Sequence, residues 1–200
     1  MEPHQKIIAQ VKHQDMKAFI LGNLNLNSKL WKRYRTFLYL MVIAWLVAIF
    51  WTFYYSEAGF GIFSKNPLLS IYYLLGFPIL ILAHEGVHAI AYKWVGANNI
   101  YFGAEIRKGY FYAGADRSPI NGKQFPIVAL SPLFTINLFL LMLLFVLPAH
   151  SLYISTIMLL HSFFSQGDIA LLDYMKRFPE DQIFTLDDRQ KEMTYYYLQE

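Results

Sequence analysis

Cysteine is absent from this chain of 200 residues. Its absence excludes disulfide bonds, thiolate metal sites and cysteine nucleophiles, so histidines and carboxylates are the strong metal ligands that remain. Charged residues are also scarce, at 16%, whereas soluble domains carry about 25%. With 56% hydrophobic residues, the chain has too few polar side chains to cover a water-soluble globule. We therefore expect one domain that is embedded in a membrane.

Two kinds of signal are missing as well. The first 30 residues are polar and contain no short apolar core followed by a small-residue cleavage site, so we expect no cleavable signal peptide. The net charge is only +3, and the basic residues form no stripe with interleaved aromatic residues. This distribution argues against nucleic acid as a partner.

Long uncharged stretches predict about four transmembrane helices, over residues 36–55, 67–95, 126–147 and 151–172. An uncharged stretch of about 20 residues crosses about 30 Å of hydrocarbon at 1.5 Å per residue. Pro78 is expected to kink the second of these helices or to free a carbonyl in it. Residues 96–125 are polar and rich in turn-forming residues, which favours a β-hairpin. The predicted fold is an all-α polytopic membrane protein with a small β-hairpin insertion between the second and third spans.

The two ends of the chain differ in charge. Residues 1–35 are basic and predict either an amphipathic helix on the membrane surface or a solvated leader. Residues 176–200 predict a soluble helix or a partly ordered tail, and residues 36–175 form the membrane-embedded domain between the ends. Basic residues cluster in the N-terminal segment, in 96–125 and after the fourth span. The positive-inside rule therefore places both termini in the cytoplasm.

The sequence His84-Glu85-Gly86-Val87-His88 lies inside the second span. Side chains four residues apart lie on one face of a helix, so His84 and His88 can point at the same metal ion. Glu85 is close enough to accept a proton from a metal-bound water without being a ligand. This H-E-x-x-H pattern is typical of zinc peptidases. The alternative is a pair of histidines that are hydrogen-bonded within a helix bundle.

A catalytic zinc site needs a third protein ligand, and Asp168 is the strongest candidate. His84 lies 17 residues after the start of the second span, and Asp168 lies 17 residues after the start of the fourth. Parallel helices would bring both side chains to the same depth, about 26 Å along each helix. Asp168 could instead mark the headgroup end of its span, and Asp173 is a weaker candidate ligand.

Other polar residues of the spans and hairpin are candidates for lesser roles. His161 lies two helical turns before Asp168 and could donate to an oxyanion, or could simply bond a neighbouring helix. Asn137 is a candidate for helix packing or substrate contact. Tyr110 and Tyr112, in the predicted hairpin, are candidates for substrate binding.

The order of these motifs resembles a known class. Gln166-Gly167-Asp168 late in a span, after an H-E-x-x-H helix, a hairpin and one further span, resembles site-2 intramembrane metalloproteases. The layout is more closely similar to a bacterial membrane family of unknown function described as putative zincin peptidases, over about residues 67–175. The resemblance implies Zn²⁺ on His84, His88 and Asp168, with Glu85 as the catalytic base. Site-2 proteases usually carry Asn-Pro residues and an Asp-Gly pair in the helix of the third ligand. Here His161 stands upstream with no proline at that place, and Gly167 precedes Asp168 instead of following it, which favours the smaller family.

We therefore expect a zinc-dependent, intramembrane or membrane-bound metallopeptidase in a bacterial cell membrane. Its partners would be the lipid bilayer and a membrane-protein or peptide substrate. The sequence leaves open whether the chain forms a homo-oligomer. The alternative is a membrane protein that binds metal without catalysis, as a sensor, structural element or scaffold. A purely structural site does not need a glutamate beside the first histidine, and this favours the enzyme.

Overall fold

The computed structural model describes residues 5–55, 67–105 and 110–199, except for the side chains of residues 55, 67–74, 105 and 110. Residues 56–66, between the first two predicted spans, and residues 106–109 of the predicted hairpin lie outside this description. The helices are α1 (Met16–Gly22), α2 (Lys29–Tyr55), α3 (Pro67–Trp94), α4 (Phe125–Val146), α5 (Ser151–Phe164) and α6 (Gln166–Met175). The strands are β1 (Gln5–Lys12), β2 (Ile100–Glu105), β3 (Tyr110–Ala115), β4 (Ile120–Asn121), β5 (Ile183–Asp188) and β6 (Met193–Gln199).

Three of the described helices are long and apolar enough to cross a membrane, over Lys29–Tyr54, Leu75–Trp94 and Phe125–Val146. They agree with the first three predicted spans, and α3 continues through Pro78 without interruption. Large apolar side chains on these helices stay exposed, such as Phe50 at 65% and Trp94 at 82%. Lipid tails can cover such surfaces, so the exposure is consistent with a membrane protein.

The fourth predicted span is not one continuous helix. α5 ends at Phe164, α6 begins at Gln166, and Ser165 between them bonds its hydroxyl to the His161 carbonyl at 3.1 Å. The 14 residues of α5 rise only about 21 Å, which is too short to cross hydrocarbon alone. The break places Asp168 in the first turn of α6, where the helix dipole favours a carboxylate.

Residues 5–12, 183–188 and 193–199 fold as strands, so the expectations of a surface helix or solvated leader and of a helical or partly ordered tail were wrong for these residues. A short helix, α1 (Met16–Gly22), does lie in the N-terminal segment. β1, β6, β5 and β4 form one antiparallel sheet in that order, with register from Gln5↔Gln199 to Lys12↔Met193 between β1 and β6. The all-α prediction fails here because the partner of β1 lies at the other end of the chain. Each strand is stabilised by that distant pairing and not by its local sequence.

A second, two-stranded sheet lies within the segment 96–125. β2 and β3 pair antiparallel from Ile100↔Ala115 to Glu105↔Tyr110, and this sheet contacts α3. Glycines allow the tyrosine rings to lie flat across the strands, since a β-carbon at Gly103 would overlap the ring of Tyr112. The strands therefore lie beside the helix that carries the H-E-x-x-H sequence.

The buried residues form one core under the four-stranded sheet and another among the membrane helices. Ile183 and Tyr196 of the sheet pack with Leu172 and Met175 of α6 and with Phe125 of α4. A separate cluster joins α3, α4 and α5. α6 links the sheet to the membrane helices, so Asp168 lies where the two parts of the protein meet.

The register of β1 and β6 is testable because the natural chain has no cysteine. Gln10 and Tyr195 are direct partners, and paired residues have β-carbons about 4.5–5.5 Å apart, close to the separation in a disulfide. We expect the double variant Gln10→Cys with Tyr195→Cys to form an intramolecular disulfide under oxidation. The measurement is a reducible mobility shift on a denaturing gel. The control, Gln10→Cys with Leu198→Cys, joins residues out of register and should stay reduced; equal crosslinking of both pairs would contradict this sheet.

Candidate metal centre

Three ligand side chains meet at the junction of α3 and α6. His84 and His88 lie one turn apart on α3, with their Nε2 atoms 3.1 Å apart. Asp168 Oδ2 lies 3.2 Å from His84 Nε2, and Asp168 Oδ1 lies 3.3 Å from His88 Nε2. Ligands about 2.0–2.2 Å from a tetrahedral zinc ion lie about 3.3 Å from each other, so these separations fit one small cation.

The hydrogen bonds of His88 define which of its nitrogens faces the cluster. Its Nδ1 lies 3.0 Å from the Val128 carbonyl oxygen on α4, and a carbonyl can only accept a hydrogen bond. Nδ1 of the neutral ring therefore carries the proton, and Nε2 presents a lone pair to the cluster. This is the arrangement that a metal-ligating histidine requires.

A chain of buried polar groups orients His84 in the same way. Its Nδ1 lies 3.1 Å from His161 Nε2, and His161 Nδ1 lies 3.4 Å from Asn137 Oδ1. Asn137 donates to the Ser162 hydroxyl at 3.0 Å, which donates to the Met158 carbonyl at 2.8 Å. Every donor in this chain has an acceptor if His84 and His161 both carry their protons on Nδ1. His84 Nε2 is then a second lone pair that faces Asp168.

Three acceptors therefore converge at one point: two imidazole lone pairs and one carboxylate. Acceptors at 3.1–3.3 Å repel one another unless a proton or a cation lies among them. The side chains are also well shielded from solvent, with exposed fractions of 12% for His84, 10% for His88 and 22% for Asp168. The donor set of two histidines and one carboxylate is one that zinc prefers, so the cluster could hold a zinc ion.

Glu85 is held beside the cluster but is not part of it. Its Oε2 accepts a hydrogen bond of 2.6 Å from the backbone N–H of Ala113 on β3. Glu85 also borders two cavities. One has a volume of about 230 Å³ and apolar walls, and the other, of about 200 Å³, also contains His88 and Asp168 in its wall. The carboxylate is therefore fixed by one oxygen and faces open space where a substrate could lie.

The structure brings His84, His88 and Asp168 together and places His161 and Glu85 beside them, and the roles assigned to these residues stay predictions. Asn137 is buried against His161 and Ser162, and it borders neither of the two cavities beside Glu85. Asp173 forms an ion pair of 3.8 Å with Arg177 and is not in the cluster.

Tyr110 and Tyr112, the two candidates for substrate binding, both lie on β3. Tyr112 lines the cavity of 200 Å³, with its hydroxyl 3.1 Å from His13 Nδ1. The side chain of Tyr110 lies outside the described residues.

Sequence reasoning missed several groups around the site. The carbonyl of Val128 and the N–H of Ala113 are backbone groups, so no residue type signals their role. His13, Asp187 and Thr194 also line the cavity of 200 Å³. They come from the two terminal segments, which the sequence assigned to a leader and a tail. The sequence marks them only as polar side chains within short apolar stretches. They can be recognised as cavity residues only when the pairing of the strands is known.

Comparisons with known proteins add one finding. The model of a family described as putative zincin peptidase matches residues 77–183, which is more than half of the chain and includes the whole metal cluster. The comparison with curated proteins found no match, and the comparison with solved structures found none either.

The metal cluster predicts the metal content of the purified protein. We expect about one zinc ion per chain in the detergent-purified protein, and loss of that zinc in His88→Ala and in Asp168→Ala, because each removes one of three protein ligands. Elemental analysis measures this directly. Asp173→Ala is the matched control, since Asp173 pairs with Arg177 outside the cluster. Zinc that persists in Asp168→Ala would show that the third ligand is another residue.

The chain of hydrogen bonds from His84 through His161 and Asn137 predicts a smaller effect on zinc affinity. His161→Ala removes the acceptor for His84 Nδ1 but no ligand, so we expect zinc to bind about 10- to 100-fold more weakly. Competition with a chromogenic chelator measures the affinity. His150→Ala, in the turn before α5, should leave it unchanged. An unchanged affinity in His161→Ala would mean that this chain does not orient the ligand.

Proposed function

The chain belongs to the putative zincin peptidase family, and from this membership we propose that it is a zinc-dependent peptidase whose active site lies within a membrane domain. The single observation that carries the proposal is the convergence of His84, His88 and Asp168 beside Glu85. The layout also resembles that of site-2 proteases. The substrates would be membrane proteins or peptides derived from them.

The chain's own residues divide the work of peptide hydrolysis. His84, His88 and Asp168 would hold the zinc ion, which when bound supplies a positive charge that polarises the scissile carbonyl and acidifies water. Val128 and His161 keep the two imidazoles in the tautomer that can bind metal. We assign His161 this positioning role, because its Nε2 faces His84 and is not directed to a substrate.

Glu85 is the proposed general base. The Ala113 N–H holds Oε2 in place, so Oε1 is free to take a proton from the attacking water and to pass it to the leaving amine. A fixed carboxylate loses little orientational freedom when the reaction begins. Ala113 thereby positions the base, and a side chain substitution there would leave this contact intact because it comes from the backbone.

The strand pairing supports a passage of the chain four times through the membrane. β1, β4 and β6 belong to one sheet, so residues 5–12, 120–121 and 193–199 lie on one side of the bilayer. α2 and α3 carry the chain across and back before β4. α4 carries it across again, so α5 and α6 together must bring it back before β5. Asp168 then lies close to the side that holds the sheet.

The same sheet supports the proposed orientation. All three of its segments belong to the parts of the chain that carry most of the basic residues, and basic loops stay in the cytoplasm. We therefore place the sheet and both described ends of the chain on the cytoplasmic side.

A membrane-spanning substrate must unwind before it is cut, because its carbonyls are occupied by helical hydrogen bonds. The outer edge of β3 could pair with the unwound segment. Since the Ala113 N–H already bonds Glu85, this pairing would use the part of β3 near Phe111, which borders both cavities. Tyr112 lies in the same region and is a candidate for substrate contact.

The proposed base makes Glu85→Gln the decisive variant. We expect it to retain zinc and to lose turnover of quenched fluorescent peptides by about 10²- to 10⁴-fold, since the amide cannot accept the proton of water. The assay uses the full chain in detergent micelles, with zinc measured in the same samples. Glu180→Gln, an exposed glutamate after α6, is the matched control and should keep full activity.

Two outcomes would overturn the assignment. Full activity in Glu85→Gln would exclude Glu85 as the base. Zinc binding without cleavage of any peptide by the natural chain would instead favour a metal-binding membrane protein that is not an enzyme.

A further inference from the structure

The cavity of about 200 Å³ beside Glu85 is built partly by the ends of the chain. From the metal cluster it extends to polar side chains of β1–α1, β2, β3, β5 and β6, namely His13, Tyr101, Tyr112, Thr185, Asp187 and Thr194. We name this polar end the terminal recess. His13, Thr185, Asp187 and Thr194 lie outside residues 77–183, so the recess adds a wall that the matched family region does not contain.

Asp187 gives the terminal recess a negative charge. The carboxylate accepts a hydrogen bond of 2.7 Å from the Thr194 hydroxyl. A carboxylate has about four acceptor positions, so others remain for a ligand. Among the described residues, no lysine or arginine lies within ion-pair distance of Asp187. Its negative charge is thus available to a cation from outside.

Burial supports the same conclusion about Asp187. It raises the pKa of the carboxyl above its usual value, and the neighbouring Asp116 raises it further, whereas the Thr194 and Ala115 hydrogen bonds and His13 oppose the change. The protein therefore compensates the charge of Asp187 only in part. A cation that entered the terminal recess would complete the compensation.

Tyr101 supplies an independent sign of a missing ligand. The residue is 6% exposed and lines the recess, and its buried hydroxyl makes no hydrogen bond to any described residue. A buried hydroxyl without a partner is costly, so such groups commonly face a ligand or an ordered water. The Tyr101 oxygen can accept a hydrogen bond, as an ammonium or guanidinium group requires of its partners.

The cavity also suits the stem of a long side chain. Its size exceeds the cavity of about 150 Å³ that accepts benzene in other proteins. Phe125, Leu171 and Met16 are apolar residues that line it together with Asp187. Lysine and arginine combine an apolar stem with a charged head, and so match a cavity that has both apolar walls and a carboxylate.

We propose that the terminal recess binds a lysine or arginine side chain of the substrate, next to the peptide bond that is cleaved. Asp187 supplies the opposite charge and Tyr101 a hydrogen-bond acceptor. The second cavity beside Glu85, of about 230 Å³, is lined largely by the apolar residues Phe77, Leu80, Ile81, Phe111 and Phe164 and takes an apolar side chain. The preferred substrate therefore has a basic residue and an apolar residue near the cleaved bond. This specificity rests on the proposed function.

Binding tests the recess separately from catalysis. The protein is the full-length Glu85→Gln variant in detergent micelles, which should bind peptides without cutting them. The probes are two fluorescent, N-acetylated peptides of otherwise apolar sequence, in which one central residue is either lysine or its uncharged analogue norleucine. We expect the lysine peptide to bind about tenfold more tightly or better, as measured by fluorescence anisotropy.

Asp187→Asn in the same background should remove the preference for lysine, because the amide keeps the shape of the side chain and loses its charge. Asp116→Asn is the matched control: Asp116 is bridged to Asp187 in the sheet and does not line the cavity. It should keep the preference. Retained zinc shows that each variant is folded.

Each result decides the proposal. Equal binding of the two peptides, or no binding of either, overturns the basic subsite. This comparison needs only the Glu85→Gln protein that retains Asp187, so it can be made even if the Asp187→Asn variant does not fold. A preference for lysine that survives in Asp187→Asn also overturns it. A preference that depends on Asp187, together with no cleavage by the natural chain, would support the recess and contradict the peptidase.

Discussion

The direction of two hydrogen bonds determines the chemistry of this protein. Val128 can only accept a hydrogen bond, and the chain from His161 to Met158 ends on a carbonyl that can also only accept. The protons of both ligand imidazoles are therefore drawn outward to Nδ1, and their lone pairs face Asp168. Without this directionality, the candidate cation site would become a set of histidines that hydrogen-bond one another. The H-E-x-x-H sequence supplies the candidate ligands, and their partners on α4 and α5 orient them.

A second constraint comes from the junction between the membrane helices and the four-stranded sheet. α6 carries Asp168 at one end and packs Leu172 and Met175 under the sheet at the other. The third candidate ligand, Asp168, thus lies on the element that joins the two parts. β3 holds Glu85 in place in a similar way, through the hydrogen bond from the Ala113 N–H. The site is assembled from elements on both parts of the protein and lies at their boundary.

The sequence predicted those features that depend on local pattern. Uncharged runs located α2, α3 and α4, helical spacing paired His84 with His88, and depth along the spans selected Asp168. It failed where structure depends on distant partners. β1 and β6 pair across nearly the whole chain, and neither strand has a strong pattern of its own. The break at Ser165 was missed because the apolar run continues on both sides of it, although the polar residues from Ser165 to Asp168 carry a weak signal. Val128 and Ala113 act through backbone atoms, which a sequence does not distinguish.

The pairing of β1 with β6 also sets when the four-stranded sheet can close. During synthesis, α3 is made long before β5 and β6 leave the ribosome, and β1 must wait for a partner about 180 residues further along the chain. Until then, the cavity beside Glu85 has no wall from His13, Asp187 or Thr194. The cavity beside the candidate metal centre is therefore completed only after β5 and β6 have been synthesised and have paired with β1.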